Sequence, residues 1–216
     1  VMRDKASLSY VAEAAPGLWV LGLDPCLYRG NQPGHHPHTD GAFQDETLEW
    51  IGEVHQQAVL KNKTVIAMMH HGVLEHYKGQ EKFYGEYVVN DYKKVSKLLA
   101  SYRINVVFTG HYHAQDITMK RWDEENFIFD VETGSLVTYP CPMRFVTIGS
   151  DNQVEITGQQ IEEIDYDTDD QAFSDYARDY LENGLTVLAP YYMTQGFGLD
   201  EETANEDIEA FLEYIR

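Results

Sequence analysis

The stretch that decides the fold is TVIAMMHHG, residues 64–72, in which an apolar run leads directly into two histidines and a glycine. A second stretch, INVVFTGHYH at residues 104–113, repeats that arrangement with a second pair of histidines. A third apolar run, LWVLGL at residues 18–23, precedes both. Unbroken apolar runs of this length are typical of strands that are buried on both faces. The three runs therefore predict strands of one sheet.

Two helices are predicted between these strands, at residues 44–60 and 91–102. Both segments carry apolar side chains at helical spacing, and Trp50 lies beside those of the first. The positions are Leu48, Ile51, Val54, Ala58 and Val59 in the first helix, and Val95, Leu98 and Leu99 in the second. Strands that alternate with helices predict an α/β fold in which helices cover the sheet.

The pattern changes after the second histidine pair. Four short β runs follow, joined by turn residues without a helix between them, at residues 116–119, 126–131, 144–148 and 153–157. They predict an antiparallel meander that forms most of a second sheet. The fold class is therefore α/β (α+β-like).

The last quarter of the chain is chemically distinct. Residues 159–216 carry 16 Asp or Glu against two Arg. Apolar spacing predicts two acidic helices there, at residues 169–182 and 201–214, with a linker at residues 184–198. We therefore expect two parts, a domain at residues 1–158 and an acidic helical extension at residues 159–216 packed on it. Its function is left open, between a solvated addition and a partner surface or lid.

The charge of the whole chain excludes some partners. With 16 basic and 36 acidic residues among 216, the formal net charge is −20, which argues against binding to a nucleic-acid backbone or to an anionic membrane. No apolar stretch is long enough for a membrane span, and no signal peptide is visible, so we expect a soluble protein of open compartment. Cys26 and Cys141 allow at most one internal disulfide.

The histidines that follow the two strands are the candidate site. Because sites in open α/β sheets form at the carboxyl ends of strands, we expect His70, His111 and His113 to converge there. A neutral imidazole is a common ligand of Zn, Cu, Fe or Ni. We expect His71 to point elsewhere. Contact with a substrate and a structural role are equally open for it.

Several motifs in this order resemble the calcineurin-like metallophosphoesterases. They are LGLD at 21–24, LEWI at 48–51, MMHHG at 68–72, GHYH at 110–113, AQD at 114–116 and ETGSL at 132–136, followed by a strand around Arg144. The resemblance covers roughly residues 8–158 and implies part of a β-sandwich flanked by helices. It also implies hydrolysis of phosphate mono- or diesters by metal-activated water at two divalent ions, Fe, Mn or Zn. His70, His111 and His113 match ligands of that family.

The chain also departs from the family. The Asp-x-His, Gly-Asp and Gly-Asn-His-Asp/Glu motifs are absent, and they supply the carboxylate ligands and the catalytic histidine, so no residue here is assigned as catalytic. The chain therefore resembles the C-terminal part of such an enzyme, and we expect this fragment alone to be inactive. An exposed half-sandwich is expected to favour self-association. The alternative is a degenerate, non-catalytic binding module.

Other candidates are weaker. A His-rich loop is either a metal site, a cover over the cleft or a site of adventitious binding. An aromatic segment after the histidine pair either shapes a substrate pocket or simply packs, and two aspartates near strand ends are read as structural or supporting residues rather than ligands. These residues are His35, His36, His38 and Asp40 in the loop, His76, Tyr77, Phe83, Tyr84 and Tyr87 in the segment, and Asp24 and Asp116.

Overall fold

The histidine-bearing part of the molecule is built on a mixed seven-stranded sheet. The structure is a computed structural model, and it describes residues 2–149, 151, 153–198, 200, 202–206 and 208. The strand order is β1-β2-β3-β4-β5-β7-β6. The strands are β1 (Met2–Arg3), β2 (Tyr10–Ala15), β3 (Leu18–Gly22), β4 (Thr64–Met68), β5 (Val106–Thr109), β6 (Asp116–Arg121) and β7 (Phe127–Glu132). Helices flank this sheet, so the predicted mixed α/β class is confirmed.

The three apolar runs form the centre of the sheet. β3, β4 and β5 are parallel neighbours, with Leu21 beside Ala67 and Ala67 beside Val107 in the register. All three of those side chains are fully buried. The prediction that these runs share one sheet is therefore confirmed.

The helices follow the predicted periodicity with small changes. They are α1 (Asp45–Leu60), a short α2 (Gln80–Phe83) and α3 (Tyr92–Ser101), with 3-10 turns at Tyr28–Gly30 and Gly85–Tyr87. α1 buries Ile51, Val54 and Ala58 in the core. Val59 is 66% exposed, although it was counted among the apolar side chains at helical spacing. It lies in the last turn of the helix, next to the exposed Leu60.

The predicted second sheet is smaller than expected. β6 and β7 form an antiparallel pair, but β7 also pairs in parallel with β5 and so belongs to the first sheet. The sequence FIFDVE of β7 has buried side chains on both faces, as a strand with neighbours on either side requires. Only β8 (Pro142–Ile148) and β9 (Val154–Gln160) form a separate two-stranded sheet. Assigning all four runs mostly to a second sheet was therefore wrong.

The chain divides into two compact units, residues 1–134 and 135–216. The second contains β8, β9 and a 25-residue helix, α4 (Phe173–Phe197). α4 runs through the segment predicted as a linker, because LTVLA and its neighbours continue the helix. Pro190 lies inside the helix, where its missing N–H removes one hydrogen bond to the preceding turn. It begins later than predicted because Asp169 and Asp170 have left-handed backbone, with φ of 54° and 62°.

The second predicted acidic helix is described only in part. Residues 202–206 are helical, and most of the remaining residues of 201–214 lie outside the described part of the chain. None of the helices in the described ranges combines the length and the apolar character needed to cross a bilayer. Both cysteines are free thiols, Cys26 exposed and Cys141 buried.

Candidate metal-binding histidine site

The two histidine loops are held side by side by main-chain hydrogen bonds. The amide of Met69 donates to the carbonyl of Phe108 at 3.0 Å, which extends the β4–β5 pairing beyond the strands. The amide of Gly110 then donates to the carbonyl of His70, also at 3.0 Å. Because β4 and β5 are parallel neighbours, their loops leave the sheet at the same edge. The sheet itself therefore sets the distance between His70 and the GHYH loop.

Three imidazoles meet at that edge. The ring centroids of His70 and His111 are 4.3 Å apart, and those of His71 and His111 are 4.7 Å apart. His71 also lies edge-on to His70 at 5.6 Å. His70 is exposed, whereas His71 is 2% exposed. The structure therefore places His71 in the same cluster, and the expectation that it points elsewhere was wrong.

A single carbonyl connects the cluster to the His-rich loop. Thr39 accepts from Nε2 of His71 at 2.8 Å and from Nε2 of His111 at 3.2 Å. Two residues later, the ring of His71 packs against Gly41 so closely that a Cβ there would lie 2.7 Å from it. If Nε2 of each ring carries the proton that Thr39 accepts, the two Nδ1 atoms are left with their lone pairs.

Burial favours the neutral form of the cluster. His70 is exposed as a residue, but part of its imidazole is shielded from water. That partial desolvation, followed by the neighbouring charges of His111 and His113, lowers the pKa of His70. Burial also lowers the pKa of His71, assisted by His111 and His70, although the Thr39 carbonyl opposes the shift. Neutral imidazole is the form that binds metals.

His113 is placed at the margin of this cluster. It is exposed, and its charge helps to lower the pKa of His70. Both His111 and His113 have left-handed backbone, with φ of 74° and 62°. Residues other than glycine rarely adopt this conformation, and it recurs at functional sites. The loop that carries the two histidines is therefore held in an unusual shape.

The cluster fits a metal in the kind of its donors but not in their arrangement. Neutral imidazoles suit Zn or Fe, and they are present. Yet among the described residues no group of three or more His, Cys, Asp or Glu side chains is arranged to hold an ion. Three imidazoles also lack the negative charge that a pair of divalent ions requires. The imidazoles are therefore donors of a kind that a single ion uses, but they are not arranged as a finished site, and their lack of negative charge does not suit two ions.

A buried carboxylate lies behind the histidine loops. Asp130 on β7 is fully buried, and its Oδ2 accepts from the amides of Val73 at 2.6 Å and Leu74 at 2.9 Å. Its Oδ1 accepts from the hydroxyl of Thr109, the last residue of β5. Asp130 therefore ties together the chain after the first histidine pair and the strand that leads to the second.

His76 and Glu132 complete this network. His76 Nδ1 lies 2.8 Å from Asp116 Oδ2, and its Nε2 lies 3.6 Å from Asp130 Oδ1 and 3.5 Å from Glu132 Oε2. Burial lowers the pKa of His76, but Asp130, then Asp116 and Glu132, outweigh it and raise that pKa to about 9. Burial raises the pKa of Glu132 to about 7, against the charge of His76 and the amide of Ala114.

Glu132 also contacts the end of the GHYH loop. Its Oε1 accepts from the amide of Ala114 at 3.3 Å, one residue beyond His113. Sequence analysis missed Asp130 and included Glu132 only as the first residue of the ETGSL motif, without giving it a role. A signal was present, because two carboxylates at alternate positions of an apolar strand point to the same buried face, and burying a charge without a partner is costly.

The aromatic segment forms a wall beside the histidines. The ring of Tyr87 is 4.6 Å from that of His111, and the rings of Tyr84 and Tyr77 lie 5.7 Å and 5.9 Å from that of Tyr112. Phe83 is 67% exposed and lies under the ammonium of Lys82 instead. The structure thus gathers the tyrosines of this segment around the site and leaves the phenylalanine in solvent.

The remaining candidates lie outside the cluster. His35, His36 and His38 are exposed, and what their loop contributes to the site is Thr39 and Gly41. Asp24 is structural, since its carboxylate accepts from the amides of Leu8 and Cys26. Asp116, as expected, supports another residue, which is His76.

Comparison with known proteins gives a likeness of fold. No protein-family model matches the chain, and no curated protein matches its sequence. Among solved structures, a dimetal phosphatase from Danio rerio shares the fold with a TM-score of 0.52 and 16% identity. The match covers 72% of this chain and 58% of the phosphatase chain. A metallophosphoesterase-like fold is thereby supported, and at this identity the likeness concerns the fold alone.

Proposed function

We propose that this chain is part of a divalent-metal-dependent phosphoesterase that hydrolyses phosphate mono- or diesters. The observation that carries the proposal is the contact between the rings of His70 and His111 at the carboxyl ends of two neighbouring parallel strands. The fold shared with a dimetal phosphatase adds to it. The acidic chain, with a net charge of −20, favours a small phosphate ester over a nucleic-acid backbone.

The proposed roles follow from the cluster. His70, His111 and His113 are the ligands, and burial keeps His70 in the neutral form that offers a lone pair. His71, which is buried and donates to Thr39, orients the loop above the site; this supports the structural role over contact with the phosphate. Bound here, an Fe, Mn or Zn ion would activate water and polarise a phosphate oxygen. The chain's own part is to hold the imidazoles at one edge.

Metal binding by the 216-residue chain tests the proposal. Isothermal titration calorimetry with Zn²⁺ or Mn²⁺ should detect binding that His70→Ala and His111→Ala each weaken by about 10-fold or more. His36→Ala is the matched control, because His36 lies in the exposed His-rich loop. Loss of binding in the control alone, or in none of the variants, would assign the metal elsewhere and overturn the proposed ligands.

Turnover supplies the second readout. We expect negligible hydrolysis of p-nitrophenyl phosphate and of its bis ester by this chain alone, because no carboxylate in the described part of the chain joins the imidazoles as a ligand. Robust turnover that survives His111→Ala would show that other residues perform the reaction.

A non-catalytic binding module is the second candidate. It is favoured by one observation, that no group of side chains in the described ranges is arranged to hold a metal. Calorimetry separates the two functions, because a degenerate module should bind neither Zn²⁺ nor Mn²⁺ through His70 and His111.

A further inference from the structure

We propose that Tyr77, Tyr84, Tyr87 and Tyr112, the tyrosine wall, form a subsite for the planar aromatic group of a phosphate ester. This inference rests on the proposed function, since it takes the phosphate to lie at the His70–His111 pair. It adds the class of organic group that the ester carries.

The tyrosine wall is continuous with the histidine cluster. The ring of Tyr87 lies 4.6 Å from that of His111, and the ring of Tyr112 lies 5.2 Å from that of Tyr87. The rings of Tyr84 and Tyr77 extend the series away from the histidines, each within 6 Å of Tyr112. An ester whose phosphate contacts His111 therefore directs its organic group along these rings.

Simple packing does not account for these side chains. None of the four tyrosines belongs to the hydrophobic core that the described residues form. Tyr77 is 39% exposed and Tyr84 is 44% exposed. The two hydroxyls of Tyr77 and Tyr112 lie 3.3 Å apart and bond to each other. The rings thus form a separate cluster that remains open to solvent.

Main-chain hydrogen bonds hold the backbone that carries Tyr84 and Tyr87. Gly72, next to the histidine pair, receives a hydrogen bond from Val89 and donates one to the carbonyl of Tyr87, both at 2.9 Å. The amide of Tyr84 donates to the carbonyl of Gln80 at 2.7 Å. Gln80 is 1% exposed, and its side chain accepts from the amide of His76. Because the backbone at these two tyrosines is already ordered, a ligand that contacts them need not order it on binding, which lowers the entropic cost.

The geometry favours an aromatic group over an aliphatic one. Tyr77 and Tyr84 are tilted by 45° and 56° to Tyr112, and Tyr87 is tilted by 76°. The rings of the wall are therefore inclined to one another and not parallel. A planar aromatic group gains edge-to-face or stacking contacts from such rings, whereas a saturated ring gains only buried area.

The test compares two ligands that differ in aromaticity and cannot be hydrolysed as esters, phenylphosphonate and cyclohexylphosphonate. Binding to the 216-residue chain is measured by calorimetry in Mn²⁺, with inorganic phosphate as the reference. We expect phenylphosphonate to bind about 10-fold tighter than cyclohexylphosphonate. Tyr84→Leu should reduce that preference to about 2-fold and leave the affinity for inorganic phosphate unchanged, because Tyr84 is 44% exposed and lies outside the histidine loops, whereas Tyr84→Phe should retain the preference.

Tyr77→Leu is the second variant, because Tyr77 is 39% exposed and its replacement leaves the core untouched. Tyr166→Leu is the control, since Tyr166 is 66% exposed and belongs to the other compact unit. Equal affinity for both phosphonates while inorganic phosphate binds would overturn the subsite and leave the proposed function standing. A preference that survives both leucine variants would also overturn it. Failure of the wild-type chain to bind inorganic phosphate would overturn the proposed function and this inference with it.

Discussion

His76 Nε2 lies 3.5 Å from Glu132 Oε2, and both side chains are almost completely buried. The pKa of Glu132 is raised to about 7 in the folded chain. Between its ordinary pKa and pH 7 the folded state therefore holds a proton that the unfolded state releases. The stability that this group contributes is fully present below about pH 4.3 and is lost as the pH rises through 7.

Glu132→Gln should remove that pH dependence. We expect the difference in free energy of unfolding, wild type minus variant, to fall by about 3 kcal/mol between pH 4.5 and 7.5, since each unit of pKa difference corresponds to about 1.4 kcal/mol. Urea denaturation across this range measures it. Glu124→Gln on an exposed turn is the control and should leave the profile unchanged. A constant difference for Glu132→Gln would mean that its carboxyl titrates normally.

His76 should titrate far above other histidines. The carboxylates of Asp130, Asp116 and Glu132 raise its pKa to about 9, so its stabilising charge is fully present below about pH 6.5 and lost as the pH rises through 9. NMR titration of the imidazole protons measures this directly. Asp116→Asn removes the partner of Nδ1 and should lower the pKa of His76. Titration of His76 near 6.5 in the wild type would contradict the network.

Asp130→Ala should be among the most destabilising substitutions in the chain. It leaves the amides of Val73 and Leu74 and the hydroxyl of Thr109 without their acceptor in a buried place. We expect a loss of about 3 kcal/mol or more in the free energy of unfolding. The control is Asp123→Ala, whose exposed carboxylate accepts within its own turn and should cost about 1 kcal/mol or less. Equal losses in thermal unfolding would deny Asp130 its structural role.

The centre of the fold and one histidine pair were predictable from the sequence because both depend on local pattern. Apolar runs predicted β3, β4 and β5, and the rule that sites form at strand ends predicted that His70 and His111 would meet. The position of β7 was not predictable in the same way. Its pairing with β5 is a contact between residues far apart in the sequence, which apolar spacing does not reveal. The short connection from β6 to β7 predicted an antiparallel meander instead.

The buried network was hidden for a different reason. Asp130 belongs to no motif, and its contact with His76 is long-range in the sequence. The contact of His76 with Asp116 is also long-range, because the two residues are 40 positions apart. The late start of α4 was hidden as well, because left-handed backbone at Asp169 and Asp170 depends on local turn geometry and not on apolar spacing. The cluster position of His71 depended on Thr39 and Gly41, which carry no chemical signal of their own.

Self-association remains a prediction, and β6 is the strand on which to test it. β6 is an edge strand of the seven-stranded sheet, and Ile117 and Met119, on one face of it, are 43% and 45% exposed. Exposed apolar edge strands favour pairing with another chain. We expect concentration-dependent dimers in analytical ultracentrifugation, weakened by Ile117→Lys and unaffected by Val59→Lys on α1. A monomer at all concentrations would contradict this prediction.

Gly41→Ala should disturb the histidine cluster without touching a histidine. The Cβ would lie 2.7 Å from the ring of His71, which is 2% exposed and has no free space to move into. We expect a loss of about 2 kcal/mol in the free energy of unfolding, because overpacking a buried site displaces side chains. The hydrogen bond from His71 Nε2 to Thr39 should also weaken, which NMR of the imidazole Nε2 proton detects. Gly85→Ala is the matched control, since a Cβ there meets no atom within 4 Å. If both alanine variants unfold at the same temperature and the His71 signal is unchanged, the His-rich loop does not hold His71 in the cluster.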